Sequence, residues 1–430
     1  MRKYITIFFL ILVSSLFSQK TNYTVSKERL LKNLKKLSEF GINNKSGNDR
    51  VAYSDYDIQA REYIKEYMKN LGLKVEVDYA ANIVARKEGT NTKLKPIAFG
   101  SHIDAVPNGG HYDGPLGVIG GIEALETILD NEIITSRPLE LIIFTNEEGG
   151  VFGSRALAGK LNFDALEVKT ASGFTNGEGV DRLGGDQRKI FDVIKSSNDY
   201  HAFVELHIEQ GNILNKSNID IGVVTGIVGL KWWDVIIEGF ANHAGTTPMG
   251  ERKDPMITAA DFILLVKNVI SEIPGNQVGT VGKIEAFPGA PNVIPGKVKL
   301  SLEIRDLDEN KIDFLFNEIE KRARIIALEN ETIISFSSVD INASPALMDD
   351  QIQALIIDAT NELKYSFKKM PSGAGHDAQD MAIIVPSGMI FIPSVDGISH
   401  SPKEFSSDEA VYKGTNILLN TILKLDKEKF

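Results

Sequence analysis

The chain has 430 residues, 43% of them hydrophobic, so it can bury a large core divided over about two or three domains. It contains no cysteine, which excludes disulfides, thiolate metal ligands and lipid attachment through an N-terminal cysteine. The formal net charge of −11, with no basic run to offset it, argues against nucleic acid as a partner.

The N-terminal end of the chain differs from the rest. Residues 1–3 give it a positive start, residues 4–12 form a nearly continuous apolar block, and small residues are present over 14–18. This order is typical of a secretory signal peptide, and the block is shorter than the roughly 20 residues that an uncleaved membrane anchor needs. The sequence therefore predicts a signal peptide at 1–18, export to the periplasm or the medium, and no stable membrane span after cleavage.

Residues 20–224 alternate apolar strands with amphipathic helices, as expected for a mostly parallel sheet covered by helices. The clearest helix is predicted at 115–128, because apolar side chains recur there at helical spacing. These side chains are Leu116, Ile119, Ile122, Leu125 and Ile128. Residues 340–430 return to this pattern with a further helix, a strand and the loop that contains His400.

Residues 225–339 have a different order of elements. Strands are predicted at 228–240, 277–287, 298–305 and 332–339, and helices at 255–269 and 309–328. This order, strand-helix-strand-strand-helix-strand, is that of a small ferredoxin-like domain. The sequence therefore predicts an α/β fold in which a mostly parallel-sheet domain, 20–224 and 340–430, carries an inserted α+β domain at 225–339.

Histidines and acids follow four apolar runs that are typical of buried parallel strands. In chain order, the runs lead to His102 and Asp104, to Glu147 and Glu148, to His207 and, through a short loop, to His400. In open α/β sheets the carboxyl ends of such strands share one edge, where ligands and catalytic groups gather. We therefore expect side chains that are far apart in sequence to meet at this edge.

Each of these residues also has an ordinary explanation when it is taken alone. The adjacent glutamates could form a solvated acidic loop, and His207 could be a core histidine. Asp113 precedes a helix with proline in its first turn, which is a usual place for a helix-capping aspartate. Three histidines, an aspartate and a glutamate pair, all just beyond predicted strands, favour a two-metal hydrolase instead.

The residue types suit the chemistry of such a site. A two-metal site needs a carboxylate that bridges the ions, and it acidifies a bound water so that hydroxide is available at neutral pH. One of two adjacent glutamates can bind metal while the other accepts a proton from the attacking water. The carboxylate of Asp104 can orient the imidazole of His102 through its far ring nitrogen. Nitrogen and oxygen ligands suit zinc, and manganese, cobalt and nickel remain open.

Eight segments between about residues 100 and 405 resemble the carbamoylase and allantoate amidohydrolase branch of the dinuclear metal aminoacylase/carboxypeptidase superfamily. They are GSHIDAVPNGGHYDGPLGV, TNEEGG, ELHIEQG, GFANHAGTTPM, APNVIPG, SLEIRD, PSGAGHDA and GISHSPKEF. That branch includes N-carbamoyl-L-amino acid hydrolase, β-ureidopropionase and allantoate amidohydrolase. The longer segments are specific to it.

The resemblance implies two divalent metal ions per subunit, with zinc as the expected metal, and a catalytic base beside them. The implied ligands are His102, Asp113 and His207 for one ion and Asp113, Glu148 and His400 for the other, with Glu147 as the base. The large domain would then bind the metals, and the inserted domain would be a lid that mediates homodimer formation.

The same resemblance implies roles for residues that contact the substrate. His243 of the NHAG segment would reach into the partner subunit's site and polarise the scissile carbonyl. Asn292 and Arg305 would hold the substrate, the arginine by its carboxylate, and Gln210 and His376 would lie near the site.

The sequence around Arg305 agrees with a polar role for this residue. Apolar residues alternate with polar ones along its strand, so Arg305 stands on the polar face. Its guanidinium can grip a carboxylate there through two hydrogen bonds. Alternatively, it pairs with Glu303 or Asp306 on a solvated sheet face.

The segment from Glu147 to Arg155 departs from the family pattern. Family members usually have several more residues, often including an arginine, between the glutamate pair and the next Gly-Ser. Here Glu147-Glu148-Gly149-Gly150-Val151-Phe152 leads directly to Gly153 and Ser154. Substrate choice within the family therefore stays open.

Taken together, the sequence predicts an exported metal-dependent amidohydrolase that cleaves the carbamoyl C–N bond of an N-carbamoyl amino acid or a related ureido acid. Allantoate is one alternative substrate, and an aminoacylase- or dipeptidase-type metallopeptidase would use the same metals. A two-domain exported solute-binding protein is an alternative from another class. A Ser/His/Asp hydrolase is disfavoured, because no Gly-x-Ser-x-Gly elbow follows a strand.

Overall fold

The computed structural model describes residues 22–429, which form three β-sheets and the helices around them. The predicted signal peptide at 1–18 lies outside the described residues. Within 22–429, no helix is both long and apolar enough to cross a membrane.

The helices vary from a single turn to six turns, and most of the long ones pack on a sheet. They are α1 Lys27–Ser38, α2 Asp55–Asn70, α3 Pro115–Asp130, α4 Phe152–Leu157, α5 Asp164–Glu167, α6 Asn176–Arg182, α7 Ile213–Ser217, α8 Pro255–Glu272, α9 Glu309–Glu329, α10 Asp350–Glu362, α11 Asp377–Ile384 and α12 Asp408–Leu425. Short 3₁₀ helices are present at Gln187–Val193, Met249–Glu251 and Val395–Gly397.

The strands divide between one large sheet, one small sheet and a two-stranded ribbon. They are β1 Lys74–Val77, β2 Ile83–Lys87, β3 Ile97–His102, β4 Leu139–Phe144, β5 Ala202–Ile208, β6 Ile221–Ile227, β7 Gly229–Glu238, β8 Asn242–His243, β9 Val278–Phe287, β10 Val293–Ile294, β11 Lys297–Asp306, β12 Ile333–Ala343, β13 Ala346–Leu347, β14 Phe367–Ser372 and β15 Ser387–Ile392.

The large sheet has nine strands in the order β1-β2-β4-β3-β5-β15-β6-β13, and β14 pairs with β6. At its centre β4, β3, β5 and β15 run parallel. Antiparallel pairs lie towards the two ends of the sheet. The predicted α/β class, with a mostly parallel central sheet, is confirmed.

Helices cover both faces of the large sheet. On one face α3 and α12 contribute residues such as Leu125 and Ile422 to a continuous apolar core. On the other face α4 and α11 contribute Phe152 and Met381 to a second core. Because β3, β5 and β15 are buried along their whole length, they read in the sequence as almost continuous apolar runs.

The chain leaves the large sheet after β6 and returns to it at β13. In between, β7, β9, β11 and β12 form an antiparallel sheet in the order β12-β7-β11-β9. α8 and α9 pack on this sheet around a core that includes Phe262, Leu302 and Ile319. This is the ferredoxin-like arrangement expected for the insertion. The ribbon of β8 and β10 is separate from both sheets.

Candidate metal centre

Five side chains from distant parts of the sequence meet at the carboxyl edge of the parallel strands. His102 ends β3, Glu148 follows β4, His207 lies near the end of β5, His400 lies in the loop after β15, and Asp113 precedes α3. Ligand atoms of His102, Asp113 and His207 lie within 4.8 Å of one another. Those of Asp113, Glu148 and His400 form a second group of the same size. The sequence-predicted ligands are therefore adjacent in the fold.

Asp113 belongs to both groups, and its two oxygens face different histidines. Its Oδ1 lies 3.1 Å from Nε2 of His207 and 3.6 Å from Nε2 of His102, whereas its Oδ2 lies 3.3 Å from Nε2 of His400. Gln210 donates to Oδ2 through Nε2 at 2.6 Å. Asp113 does not cap α3, because Gly114 is the cap residue and no side chain fills that role. A carboxylate that faces two ligand groups has the orientation of a bridging ligand.

The imidazoles of His102 and His207 present free nitrogens to this carboxylate. Nδ1 of His102 lies 3.0 Å from the main-chain oxygen of Asp104, and Nδ1 of His207 lies 2.9 Å from that of Ile208. In the neutral tautomer in which Nδ1 donates to these carbonyls, the Nε2 lone pair is directed at Asp113 and is available to a cation. Both Nε2 atoms are buried and make no hydrogen bond. Two buried, unpaired nitrogen acceptors fit coordination to a cation.

The carboxylate of Asp104 has a different role from the expected contact with the imidazole. Its Oδ1 lies 3.6 Å from Nδ1 of His102, beyond ordinary hydrogen-bond distance, and the main-chain oxygen is the nearer acceptor. The carboxylate instead accepts the backbone N–H groups of Glu147 and Glu148, each at 3.2 Å. Asp104 therefore ties the turn after β3 to the turn after β4.

The two adjacent glutamates point at different histidines. Oε2 of Glu147 lies 3.6 Å from Nε2 of His102, and Oε2 of Glu148 lies 3.4 Å from Nε2 of His400. A tight turn separates them from α4, because the N–H groups of Gly150 and Val151 both donate to the carbonyl of Glu147. The compact segment after the pair thus leads almost directly into the helix.

The cluster contains more carboxylates than cationic groups within a buried space. Burial raises the pKa of Glu147 well above its usual value, against the opposing effect of His102. Burial and the charge of Asp113 raise the pKa of Glu148 to about 7. The contact with Asp113 raises the pKa of His400 to about 9. Bound cations would reverse these shifts of the glutamates, since a metal ion favours the charged carboxylate.

Two further residues that the sequence reasoning missed support Asp113 and His102. Glu404 accepts the N–H groups of Tyr112 at 2.9 Å and Asp113 at 3.1 Å, and so fixes the main chain that carries the shared carboxylate. Gly114 has φ +81°, and a Cβ there would lie 2.4 Å from Cε1 of His102. Both residues stand in the matched segments, but nothing in those segments indicates what they touch.

A buried polar group lies behind His207. Glu205 accepts a hydrogen bond from Ser101 at 2.7 Å and one from the N–H of Ala378 at 2.9 Å. The ring of His376 is 4.5 Å from that of His207, and its Nε2 lies 2.9 Å from the Ser372 hydroxyl. Burial, together with the neighbouring His207, lowers the pKa of His376 well below its usual value. His376 is therefore a neutral imidazole next to a predicted ligand.

His243 and Asn292 belong to different elements from the residues of this cluster. They are on the β8–β10 ribbon, where His243 pairs with Val293 and the carbonyl of Asn292 accepts the N–H of Ala244. Both side chains are exposed. Within residues 22–429, neither side chain has a hydrogen bond to a residue of the cluster.

Arg305 stands on β11 and connects the small sheet with the large one. Its Nε and Nη2 donate to the two oxygens of Glu303 at 2.8 and 3.1 Å, which is the alternative pairing that the sequence left open. Its Nη1 donates to the carbonyl of Gly373 at 2.9 Å, in the loop that leads to His376. Trp232 also donates to Glu303 through its indole N–H. The outer edge of the guanidinium keeps N–H groups for a further acceptor.

Comparison with known proteins identifies relatives over almost the whole chain. The model of peptidase family M20/M25/M40 matches residues 98–424. The N-carbamoyl-L-amino acid amidohydrolase of Geobacillus stearothermophilus is 38% identical over 406 residues, which cover 93% of this chain and 99% of that protein. The ureidoglycolate hydrolase of Arabidopsis thaliana is 38% identical, with 94% of this chain and 88% of that protein covered. The allantoate amidohydrolase of Bacillus subtilis is 34% identical, with 90% and 95% covered.

Solved structures give the same result for the fold. The crystal structure of an amidase of the hydantoinase/carbamoylase family from Burkholderia multivorans superposes with a TM-score of 0.89. The two sequences are 32% identical, and the match covers 95% of this chain and 99% of that one.

The prediction of an exported protein is wrong. The amidohydrolases that the chain matches over nearly their full length, among them those of Geobacillus stearothermophilus and Bacillus subtilis, give no support for export. The prediction depends on residues 1–18 alone, and a short local pattern of charge and hydropathy is not specific to export signals.

Proposed function

The chain belongs to peptidase family M20/M25/M40, and we propose that it is a metal-dependent amidohydrolase that cleaves the carbamoyl C–N bond of an N-carbamoyl amino acid or a related ureido acid. The names of its relatives support hydrolysis of non-peptide C–N bonds. The observation that carries the proposal is the pair of ligand groups that share Asp113, with the buried carboxylate of Glu147 beside them.

We propose that each subunit holds two divalent ions. His102, Asp113 and His207 would hold one, and Asp113, Glu148 and His400 the other. The absence of thiolates and the buried, unpaired Nε2 atoms of the first two histidines support zinc, with manganese, cobalt or nickel as alternatives. When bound, the ions would supply Lewis acidity that acidifies water and polarises a carbonyl.

Glu147 is the proposed catalytic base. Its carboxylate is buried and, within the described residues, makes no hydrogen bond that would commit it to another residue, so it stays available to accept a proton. It would take a proton from the attacking water and pass it to the departing nitrogen. Asp104 would hold the main chain of the glutamate pair in place.

Arg305, Asn292, Gln210 and His376 are the proposed substrate-binding residues. The free edge of the Arg305 guanidinium would bind the substrate carboxylate, and its contact with Gly373 would keep that edge near the His376 loop. Gln210 already contacts Asp113 and can present its amide oxygen, which has no hydrogen bond, to the substrate.

We further propose that the enzyme is a homodimer in which His243 completes the partner's site. The exposed position of His243, without a contact to the cluster of its own chain, supports this role. A dimer surface is supported by apolar residues exposed on α8, Ile257 and Leu264, and on the edge strand β9, Ile284. The proposed division is a metal-binding domain of 20–224 and 340–430 and a lid at 225–339.

A substrate panel tests the proposal. The metal-loaded protein is incubated with several N-carbamoyl-L-amino acids, N-carbamoyl-β-alanine, allantoate and dipeptides, and ammonia and amine release are assayed separately. Release of ammonia from a ureido substrate, dependent on metal, is the expected result. Amine release from dipeptides without ammonia would indicate a peptidase, and stoichiometric binding without turnover would indicate a solute-binding protein.

A further inference from the structure

Arg50 is a completely buried arginine between α1 and α2, with 0% of its surface exposed. Its guanidinium contacts main-chain carbonyls in place of a carboxylate. Nε donates to the carbonyl of Ile103 at 2.5 Å, and Nη1 donates to those of Leu37 at 2.9 Å and Phe40 at 2.8 Å. Nη2 has no hydrogen bond.

A charge buried in this way destabilises the folded state. Burial lowers the pKa of Arg50 to about 10, which still leaves the side chain charged at neutral pH. Removing a cation from water destabilises the fold unless an anion offsets it. Within residues 22–429 no ion pair includes Arg50, and the charges of Asp57 and Asp104 offset the effect of burial only in part. An apolar residue would fill this place with a smaller loss of stability. We therefore expect the guanidinium to have a role beyond filling space.

The contacts of Arg50 lie on both sides of one residue. Ile103, whose carbonyl accepts from Nε, immediately precedes Asp104. Ala105, which immediately follows Asp104, donates its N–H to the main-chain carbonyl of Arg50 at 2.9 Å. The side chain and the main chain of Arg50 therefore hold the two peptide units that flank Asp104.

Asp104 in turn contacts three residues of the metal centre. Its main-chain oxygen lies 3.0 Å from Nδ1 of His102, and its carboxylate accepts the N–H groups of Glu147 and Glu148. A rotation of the peptides around Asp104 would change the direction of the His102 lone pair. It would also displace the turn that carries both glutamates.

We propose that Arg50 is a positioning residue of the metal centre, which fixes the main chain from Ile103 to Ala105 and thereby orients His102 and the glutamate pair. This role rests on the proposed function only in that the cluster must bind metal, and it requires no particular substrate. The competing explanation is that Arg50 merely ties the end of α1 to the protein core.

Arg61 provides a matched control for the loss of a buried arginine. It is 3% exposed and donates to the carbonyl of Ala81, and it has no hydrogen bond to residues 102–105. Arg61→Met and Arg50→Met remove the same group from comparably buried sites. Arg50→Lys keeps the charge, but its compact ammonium group cannot reproduce the separation of the Nε and Nη1 donors that contact the three carbonyls.

The experiment compares these full-length variants with the wild type by zinc affinity, thermal unfolding without metal, and kcat and KM at saturating zinc. Zinc affinity is measured by competition with a chelating dye. For Arg50→Met we expect zinc binding to weaken about ten- to a hundredfold and kcat to fall with KM little changed, as for loss of an outer-sphere contact. Arg50→Lys should retain more of the zinc affinity and more of kcat than Arg50→Met. Arg61→Met should lose thermal stability while it keeps its zinc affinity.

Several results would overturn the proposal. Wild-type zinc affinity and kcat in folded Arg50→Met would do so, and if that variant does not fold, unchanged zinc affinity in Arg50→Lys would do so. Equal loss of zinc affinity in Arg61→Met would reduce the effect to general destabilisation. A wild type that binds zinc but hydrolyses no ureido substrate would refute the proposed function and leave the comparison of zinc affinities valid. A wild type that binds no metal would refute both.

Discussion

At the edge of the large sheet the predicted ligands His102, Asp113 and His207 are buried and already face one another. The predicted substrate residues His243 and Asn292 are exposed, and among residues 22–429 their side chains make no hydrogen bond to that cluster. The side chains of His102 and His207 are each 1% exposed and lie within 4 Å of the Asp113 carboxylate. By contrast, His243 is exposed, and Arg305 is engaged with Glu303.

This difference has a physical origin. The ligands are anchored by the ends of neighbouring parallel strands, so the packing of a single sheet brings them together. The residues of the inserted segment belong to a separate core, so the packing of the large sheet does not fix where they lie relative to the cluster. We expect the chemistry to be preorganised within one chain and substrate recognition to require closure or a partner.

The largest effect is expected at the buried glutamate beside the predicted ligands. Glu147→Gln should keep two metals and lose about 10²- to 10⁴-fold in kcat, because it removes the proton acceptor and leaves both ligand groups intact. Metal content and kcat are measured on the same sample. Glu148→Gln is the matched control and should lower metal occupancy as well. Substantial turnover by a fully metallated Glu147→Gln protein would exclude Glu147 as the base.

The dependence on a partner can be tested at His243. His243→Ala should lower kcat by about 10²- to 10³-fold, since it removes a group that stabilises the developing oxyanion. Mixed with Glu147→Gln, it should recover up to about a quarter of wild-type activity, because half of the randomly formed dimers are mixed and one of their two sites is complete.

The control for this experiment is each variant incubated alone under the same conditions of subunit exchange. Mixed dimers are isolated with two different affinity tags and assayed directly. If they are no more active than the parent variants, His243 does not act across the subunit boundary.

A smaller effect is expected for substitution of Arg305, and it should change KM more than kcat. Arg305→Ala should raise KM about ten- to a hundredfold for N-carbamoyl amino acids, because it removes charge-assisted hydrogen bonds to their carboxylate. The corresponding carbamoyl amides, which lack the carboxylate, serve as control substrates and should show little change. Equal losses for both substrate types would mean that Arg305 has a structural role.

A substitution of Glu303 separates the effect of the Arg305 contacts from the effect of the Arg305 charge. Glu303→Gln keeps the side-chain shape but weakens the pairing with Arg305 and the contact with Trp232. A modest change in KM, smaller than that of Arg305→Ala, is expected because the guanidinium remains but is less well oriented. A fall in kcat alone, with KM unchanged, would argue against this role of Glu303.

The smallest effect concerns stability in the buried region behind the cluster. Asp57 is 2% exposed, and burial raises its pKa from 3.8 to about 6. The folded protein therefore binds more protons than the unfolded chain between these values, so the contribution of Asp57 to stability decreases as pH rises from about 4 to 6. In metal-free protein, Asp57→Asn should gain stability relative to wild type across this range.

Urea unfolding at several pH values between 4 and 7 measures this difference. Asp55→Asn, at an exposed aspartate on the same helix, is the control. A difference between wild type and Asp57→Asn that does not vary with pH would show that Asp57 is already ionised in the folded protein at pH 4.

Local patterns in the sequence predicted the fold, and together with the family resemblance they predicted which residues form the cluster. Buried parallel strands are continuous apolar runs, so the polar residues that end them, such as His102, stand out without any knowledge of contacts. The elements of the insertion were also predictable from the sequence, because apolar residues recur at different spacings in strands and in helices. The export prediction failed because it depended only on a short charge and hydropathy pattern at 1–18, and such a pattern is not specific to exported proteins.

What each side chain contacts was decided only by the tertiary structure. The sequence suggested that the Asp104 carboxylate contacts the His102 imidazole, but it accepts the N–H groups of the glutamate pair instead. Glu404 behind Asp113 and the clamp of Arg50 on Ile103 join segments about 290 and 53 residues apart. Periodicity determines which face of an element a residue occupies. The direction of its side chain is set by whatever other segment packs against that face, and this information is not local.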